Sequence, residues 1–77
     1  MNEQKVYIEL TKDEAIVLFE FLARINEKDR LDLFIDQSEQ RVLWDIECIL
    51  EIPLSELFGA DYSEIVRKAR EQVRDKE

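Results

Sequence analysis

The chain has no histidine and only one cysteine, one glycine and one proline among its 77 residues. Each absence removes a class of chemistry. Histidine is the commonest general base near neutral pH and the commonest zinc ligand, so both roles lose their usual carrier. A single cysteine, Cys48, allows neither an intrachain disulfide framework nor a zinc site built on several thiolates. With Gly59 alone, neither a phosphate-cradling P-loop nor a dinucleotide-binding turn can be written. Long apolar runs are also missing. The longest, Ala15 to Phe19, falls far short of the roughly 20 residues that span a bilayer. The opening Met1-Asn2-Glu3-Gln4-Lys5 is polar and no signal-peptide core follows it, which points to a cytoplasmic protein.

What is present is acid and hydrocarbon. Nineteen Asp and Glu face eleven Lys and Arg, a formal charge of -8, and 45% of residues are apolar. That is too apolar for a disordered acidic tail. The charge argues against nucleic acid and against an anionic membrane as partner, because both require concentrated positive charge. It leaves room for a basic protein partner, and it serves solubility in any case. A chain of this length is a single domain, 1–77, at the size where one core is only marginally stabilising and oligomerisation is a common supplement.

Val6-Tyr7-Ile8-Glu9-Leu10 alternates and reads as a strand, with Val6, Ile8 and Leu10 on one side and Tyr7 and Glu9 on the other. Thr11-Lys12-Asp13-Glu14 is a capping box that opens a first helix, from about Lys12 to Glu27. This helix is apolar over most of its circumference, with a narrow polar stripe at Asp13, Glu20 and Arg24. A helix of that kind is covered on more than one side, so it is expected at the centre. Asn26 to Arg30 reads as a polar loop. Leu31 to Ile35 reads either as a second short strand or as a helical turn. A lone strand leaves its backbone groups unpaired, so Val6–Leu10 needs a neighbour, supplied by 31–35 or by a second copy of the chain.

Asp36-Gln37-Ser38-Glu39 is a second capping box and opens a helix from about Gln37 to Glu51, ended by Pro53. Val42, Leu43, Ile46, Ile49 and Leu50 share its main apolar face. Trp44, Cys48 and Ile52 follow one another at intervals of four on the opposite, polar side, with Ile52 near or past the helix end. Pro53 to Phe58 reads as a short helical turn, which Gly59 can stop in the left-handed conformation. A third capping box, Asp61-Tyr62-Ser63-Glu64, begins a helix from about Tyr62 to Asp75. Its apolar stripe is narrow: Tyr62, Ile65, Val66, Ala69 and Val73. The expected core is Ile8, Leu10, Ile16, Phe19, Leu22, Val42, Ile46, Ile49, Leu50, Ile65 and Ala69.

The Trp44-Cys48-Ile52 stripe is the leading candidate interface, with Trp44 as its anchor. The competing reading buries it beneath Phe58, Tyr62 or the third helix. Val17 and Phe21 flank the polar stripe of the first helix, where they are either exposed at an interface or covered by the loop that holds Phe34. Tyr7, on the outer side of the strand, completes the candidate set. The carboxylates are scattered, with no calcium-loop spacing and no loop glycine, so no metal site is expected. Cys48 lies mid-helix with no base to activate it, so it reads as a small apolar residue. No catalytic, cofactor or metal residues are expected. The basic residues of the third helix, Arg67, Lys68, Arg70 and Arg74, are interrupted by Glu71 and Asp75 and lack interleaved aromatics, unlike a nucleic-acid groove.

Leu10 to Leu22, followed by Gln40-Arg41-Val42-Leu43-Trp44-Asp45-Ile46-Glu47, resembles a set of small acidic bacterial proteins without an assigned activity. That resemblance implies a bacterial cytoplasmic source and carries no activity with it. Val42-Leu43-Trp44-Asp45 on an acidic chain is also similar to the barstar family of ribonuclease inhibitors. Asp36-Gln37-Ser38-Glu39 stands where that family has a Tyr-Gly-containing segment, and strands are too few, so the likeness is one of charge.

The sequence therefore predicts an α+β, mostly helical fold: one N-terminal strand, a doubtful second near 31–35, and three helices. The expected function is that of a non-catalytic protein-interaction module acting as a small homodimer. The alternative is an acidic inhibitor or immunity-type protein that binds a basic partner.

Overall fold

Thr11 starts the first helix as its side chain dictates. The Thr11 Oγ1 accepts from the Glu14 amide at 3.1 Å, and the Glu14 carboxylate accepts from the Thr11 amide at 2.9 Å. In the computed structural model, which describes residues 3–27, 31–59 and 61–75, this helix, α1, spans Lys12–Glu27. Two more follow: α2, Gln37–Leu54, and α3, Tyr62–Arg74. Short 3-10 turns at Leu31–Leu33 and Ser55–Gly59 precede and follow α2.

The other two capping boxes form with altered partners. Asp36 Oδ1 accepts from the Ser38 amide at 2.8 Å and from the Ser38 hydroxyl, while Glu39 reaches past Asp36 to the Ile35 amide at 2.8 Å. Asp61 Oδ1 accepts from the Glu64 amide at 3.4 Å, and Glu64 turns its carboxylate to Arg67. The caps satisfy amide groups that every helix start leaves without a backbone partner.

The helix α1 lies in the middle. Both α2 and α3 pack on it, and the 55–59 turn touches both. The core is where these two contacts meet: Ile16 and Leu22 from α1, Leu50 and Leu54 from α2, Val66 and Ala69 from α3. Leu22 is the most enclosed large side chain, only 1% exposed. Phe19, Ile46 and Ile65 pack half-buried around that centre. The all-round apolarity of α1 is thus accounted for by cover on two sides.

Several expectations are corrected. The fold is helical rather than α+β, because no strand occurs among the described residues. Val6–Leu10 has no regular secondary structure, and Val6, Tyr7, Ile8, Glu9 and Leu10 are all exposed. Alternation favours a pleated conformation, but a strand holds only where a neighbouring backbone pairs with it. The one intrachain neighbour, 31–35, is taken up by a helical turn and the entry to α2. Ile8 and Leu10 are accordingly outside the core, as are Val42 and Ile49 on α2.

Pro53 does not end α2. The helix runs one residue past it, which carries Leu54 into the core one turn after Leu50. Burying that leucine contributes about 1.5–3 kcal/mol, which offsets much of the roughly 3 kcal/mol that a proline costs within a helix. Gly59 closes the following turn without positive φ, so it is not a left-handed stop. Residues 28–30 of the expected loop lie outside the described residues.

Candidate functional site

The helix α2 holds more apolar side chains than α1 can cover. Residues three and four apart share a helix face, so Val42, Ile46, Ile49 and Pro53 form one continuous ridge beside the buried Leu50 and Leu54. Along that ridge Ile46 is half-buried, while Val42 is 54% and Ile49 is 65% exposed. No charged residue stands between these four, and Asp45 borders one edge. At its C-terminal end Pro53 lines a hollow together with Ile8, Leu10, Thr11, Lys12, Ala15, Leu50 and Leu54, so the N-terminal segment adjoins the same surface. At its N-terminal end Val42 lines a second hollow with Leu33, Phe34, Ser38, Glu39 and Leu43. The sequence pattern places Val42, Ile46 and Ile49 in the core, and of these only Ile46 packs against it. The signal that the ridge is surface lies in the width of the apolar arc, which exceeds what one neighbouring helix covers.

Trp44, Cys48 and Ile52 lie on a separate line of the same helix. All three are exposed, Trp44 at 44% and Ile52 at 78%, and Ile52 is within the helix. Neither Tyr62 nor α3 buries the stripe. Phe58, the remaining residue considered as cover, has its side chain outside the described residues.

Val17 and Phe21 meet in a groove between α1 and α3. Leu10, Leu18 and Val73 help line it, with Glu14, Arg24 and Arg70 at its edge. Val17 is half-buried and Phe21 exposed, with the Arg24 guanidinium 5.5 Å from the Phe21 ring centre. Phe34 sits elsewhere, against α2, so it does not cover them. Tyr7 stands alone on the exposed N-terminal segment. The candidate interface residues are therefore not one patch. Val17 and Phe21 share the α1–α3 groove, Trp44, Cys48 and Ile52 share the outer line of α2, and Tyr7 joins neither.

The charges are unevenly distributed. The drawn ion pairs bind α1 and α3: Arg24 to Glu20 at 2.7 Å, Arg70 to the same Glu20 at 3.4 Å, and Arg67 to Glu71 at 2.6 Å and to Glu64. The Arg67 bond draws the Glu64 carboxyl below its usual range, and Glu64 in turn raises the Arg67 guanidinium. Burial raises the Tyr62 phenol, reinforced by the charge of Glu20. From Asp36 to Glu56 the acids are Asp36, Glu39, Asp45, Glu47, Glu51 and Glu56, against Arg41 alone. Asp36 and Glu39 cap the helix, and Glu47 accepts from Asn26 Nδ2 at 2.7 Å, which ties the end of α1 to α2. Asp45, Glu51 and Glu56 are exposed. The hydroxyl of Ser38, and then its amide, hold the Asp36 carboxyl below the usual range.

Among the described residues no group of three or more His, Cys, Asp or Glu is arranged to hold a metal ion. None of the helices is long and apolar enough to cross a membrane among those residues. Compared with protein families, with curated proteins and with solved structures, the chain matches none.

Proposed function

We propose that the chain is a non-catalytic protein-interaction module that works as a homodimer, joined through the Val42-Ile46-Ile49-Pro53 ridge and the adjoining apolar residues of the N-terminal segment. The observation that carries this reading is the exposed apolar ridge itself, with Ile49 65% exposed in mid-helix. A second copy suits it because two such ridges bury apolar surface against each other with no carboxylate between the four ridge positions, where the repulsion of two chains of charge -8 is least.

The lone exposed thiol of Cys48 suits a reducing compartment, which supports a cytoplasmic setting.

The test is the concentration dependence of thermal unfolding. A dimer that unfolds to separate chains melts at a higher temperature as its concentration rises. Wild type is expected to do so, and Ile49→Asp is expected to abolish the dependence while remaining helical by circular dichroism. A wild-type midpoint that does not move with concentration would sink the dimer.

A further inference from the structure

We propose that the Trp44-Cys48-Ile52 line is a second docking surface, and that its occupant is a basic amphipathic segment of a different protein. Two observations on α2 carry the inference. The first is apolar. Trp44, Cys48 and Ile52 are exposed at successive turns, which is the spacing at which one helix offers anchors to another. An exposed tryptophan flanked by aliphatic surface is the commonest kind of binding anchor.

The second observation is electrostatic. By helical spacing, exposed Asp45 and exposed Glu51 each lie one turn from Cys48, on opposite edges of the line, and exposed Glu56 follows in the turn beyond Ile52. Arg41, the only cation of the helix, lies one turn before Trp44 at the start of the line. On α1 and α3, by contrast, the carboxylates of Glu20, Glu64 and Glu71 meet arginines of the same chain. Around the tryptophan line three exposed carboxylates, Asp45, Glu51 and Glu56, stand against the single cation Arg41.

Charge also separates the two surfaces of α2. A second copy placed on the tryptophan line would bring Asp45 and Glu51 against their own kind, whereas lysines or arginines flanking an apolar stripe would complement them. Asp45 lies between the two surfaces, and Glu51 lies on the far edge of the tryptophan line, so the line has a carboxylate on each side and suits a basic partner better than the ridge does. The proposal does not depend on the dimer, because it uses different residues.

Trp44 is the only tryptophan, so its emission reports occupancy of the line directly. The probe is a synthetic helical peptide with a leucine face flanked by lysines and no tryptophan, and the control replaces every lysine by glutamate. The lysine peptide is expected to shift Trp44 emission to shorter wavelength, saturably, with affinity that falls as salt is raised. Asp45→Lys combined with Glu51→Lys is expected to weaken it by about tenfold or more, the effect of losing roughly 1.4 kcal/mol of attraction. Ile49→Asp, one turn from Ile52, is expected to bind the lysine peptide at least as tightly as wild type while losing the dimer, so failure of the dimer and failure of this surface are told apart. No shift with the lysine peptide, an equal shift with the glutamate peptide, or unchanged affinity after the double charge reversal would each overturn the proposal.

Discussion

The second and third helices do opposite things with their apolar residues. In α3 the stripe is narrow and fully used. Val66 and Ala69 are buried, Tyr62, Ile65 and Val73 are half-buried beside them, and the remaining faces carry charges that pair with one another or with α1. In α2 the apolar residues extend well beyond the support. Leu50 and Leu54 are buried against α1, while Val42, Ile49 and Ile52 stand in water and the carboxylates beside them have little cation near. A helix whose apolar arc matches its support is architecture. A helix whose arc exceeds its support has surface to offer another chain.

That comparison is sharpest when the same substitution is made on both helices. Val66→Asp places a charge in the core of α3 and is expected to destabilise by about 4 kcal/mol or more, enough to unfold a chain this small. Ile49→Asp on α2 puts its charge in water and is expected to leave each chain folded. Circular dichroism of the two variants decides, and an unfolded Ile49→Asp would break the comparison.

A second pair lies within α2 itself. Leu50→Ala is expected to cost about 2–5 kcal/mol by leaving a cavity at the α1 contact. The neighbouring Ile49→Ala should lose less than about 1 kcal/mol of the stability of the single chain, measured by urea unfolding at high dilution. Equal losses would mean that the ridge is covered within one chain.

The caps act more weakly and concern all three helices alike. Thr11→Ala removes the hydroxyl that accepts from the Glu14 amide, and about 1 kcal/mol should go with it, read as a lower melting temperature.

Asp36 gives the smallest effect, and it depends on pH. Its carboxyl is held below the usual range in the folded chain, so its contribution is present above the ordinary carboxylate range and is lost as pH falls through the folded value. Asn caps a helix about as well without titrating. Wild type is therefore expected to lose melting temperature relative to Asp36→Asn as pH drops below about 4. A gap between the two that stays constant down to the acid limit would exclude this role for Asp36.

The sequence is most legible where the signal is local. Thr11, Asp36 and Asp61 mark the starts of all three helices because a capping side chain bonds to amides within a few residues. The central place of α1 was readable from its apolar circumference. Illegible features depend on what stands opposite. Val6–Leu10 has the alternation of a strand, yet pairing needs a second backbone and 31–35 does not supply one. Pro53 carries a local stop signal that the burial of Leu54, one residue further on, opposes. Val42 and Ile49 share a face with Leu50, so periodicity alone grouped them all as core. Periodicity reports which residues point the same way and is silent on how much of that face the chain has material to cover. The tryptophan line was visible as a stripe, and its choice between core and surface turned on whether another element reaches it.

In the proposed dimer two copies meet at the uncovered ridge of α2. Sedimentation equilibrium of the wild-type chain beside Ile49→Asp reads this without recourse to unfolding. Wild type is expected at a mass near twice 9.2 kDa and the variant at a single-chain mass at the same concentration. A wild-type mass of one chain at every concentration, or a variant that stays dimeric, would contradict it.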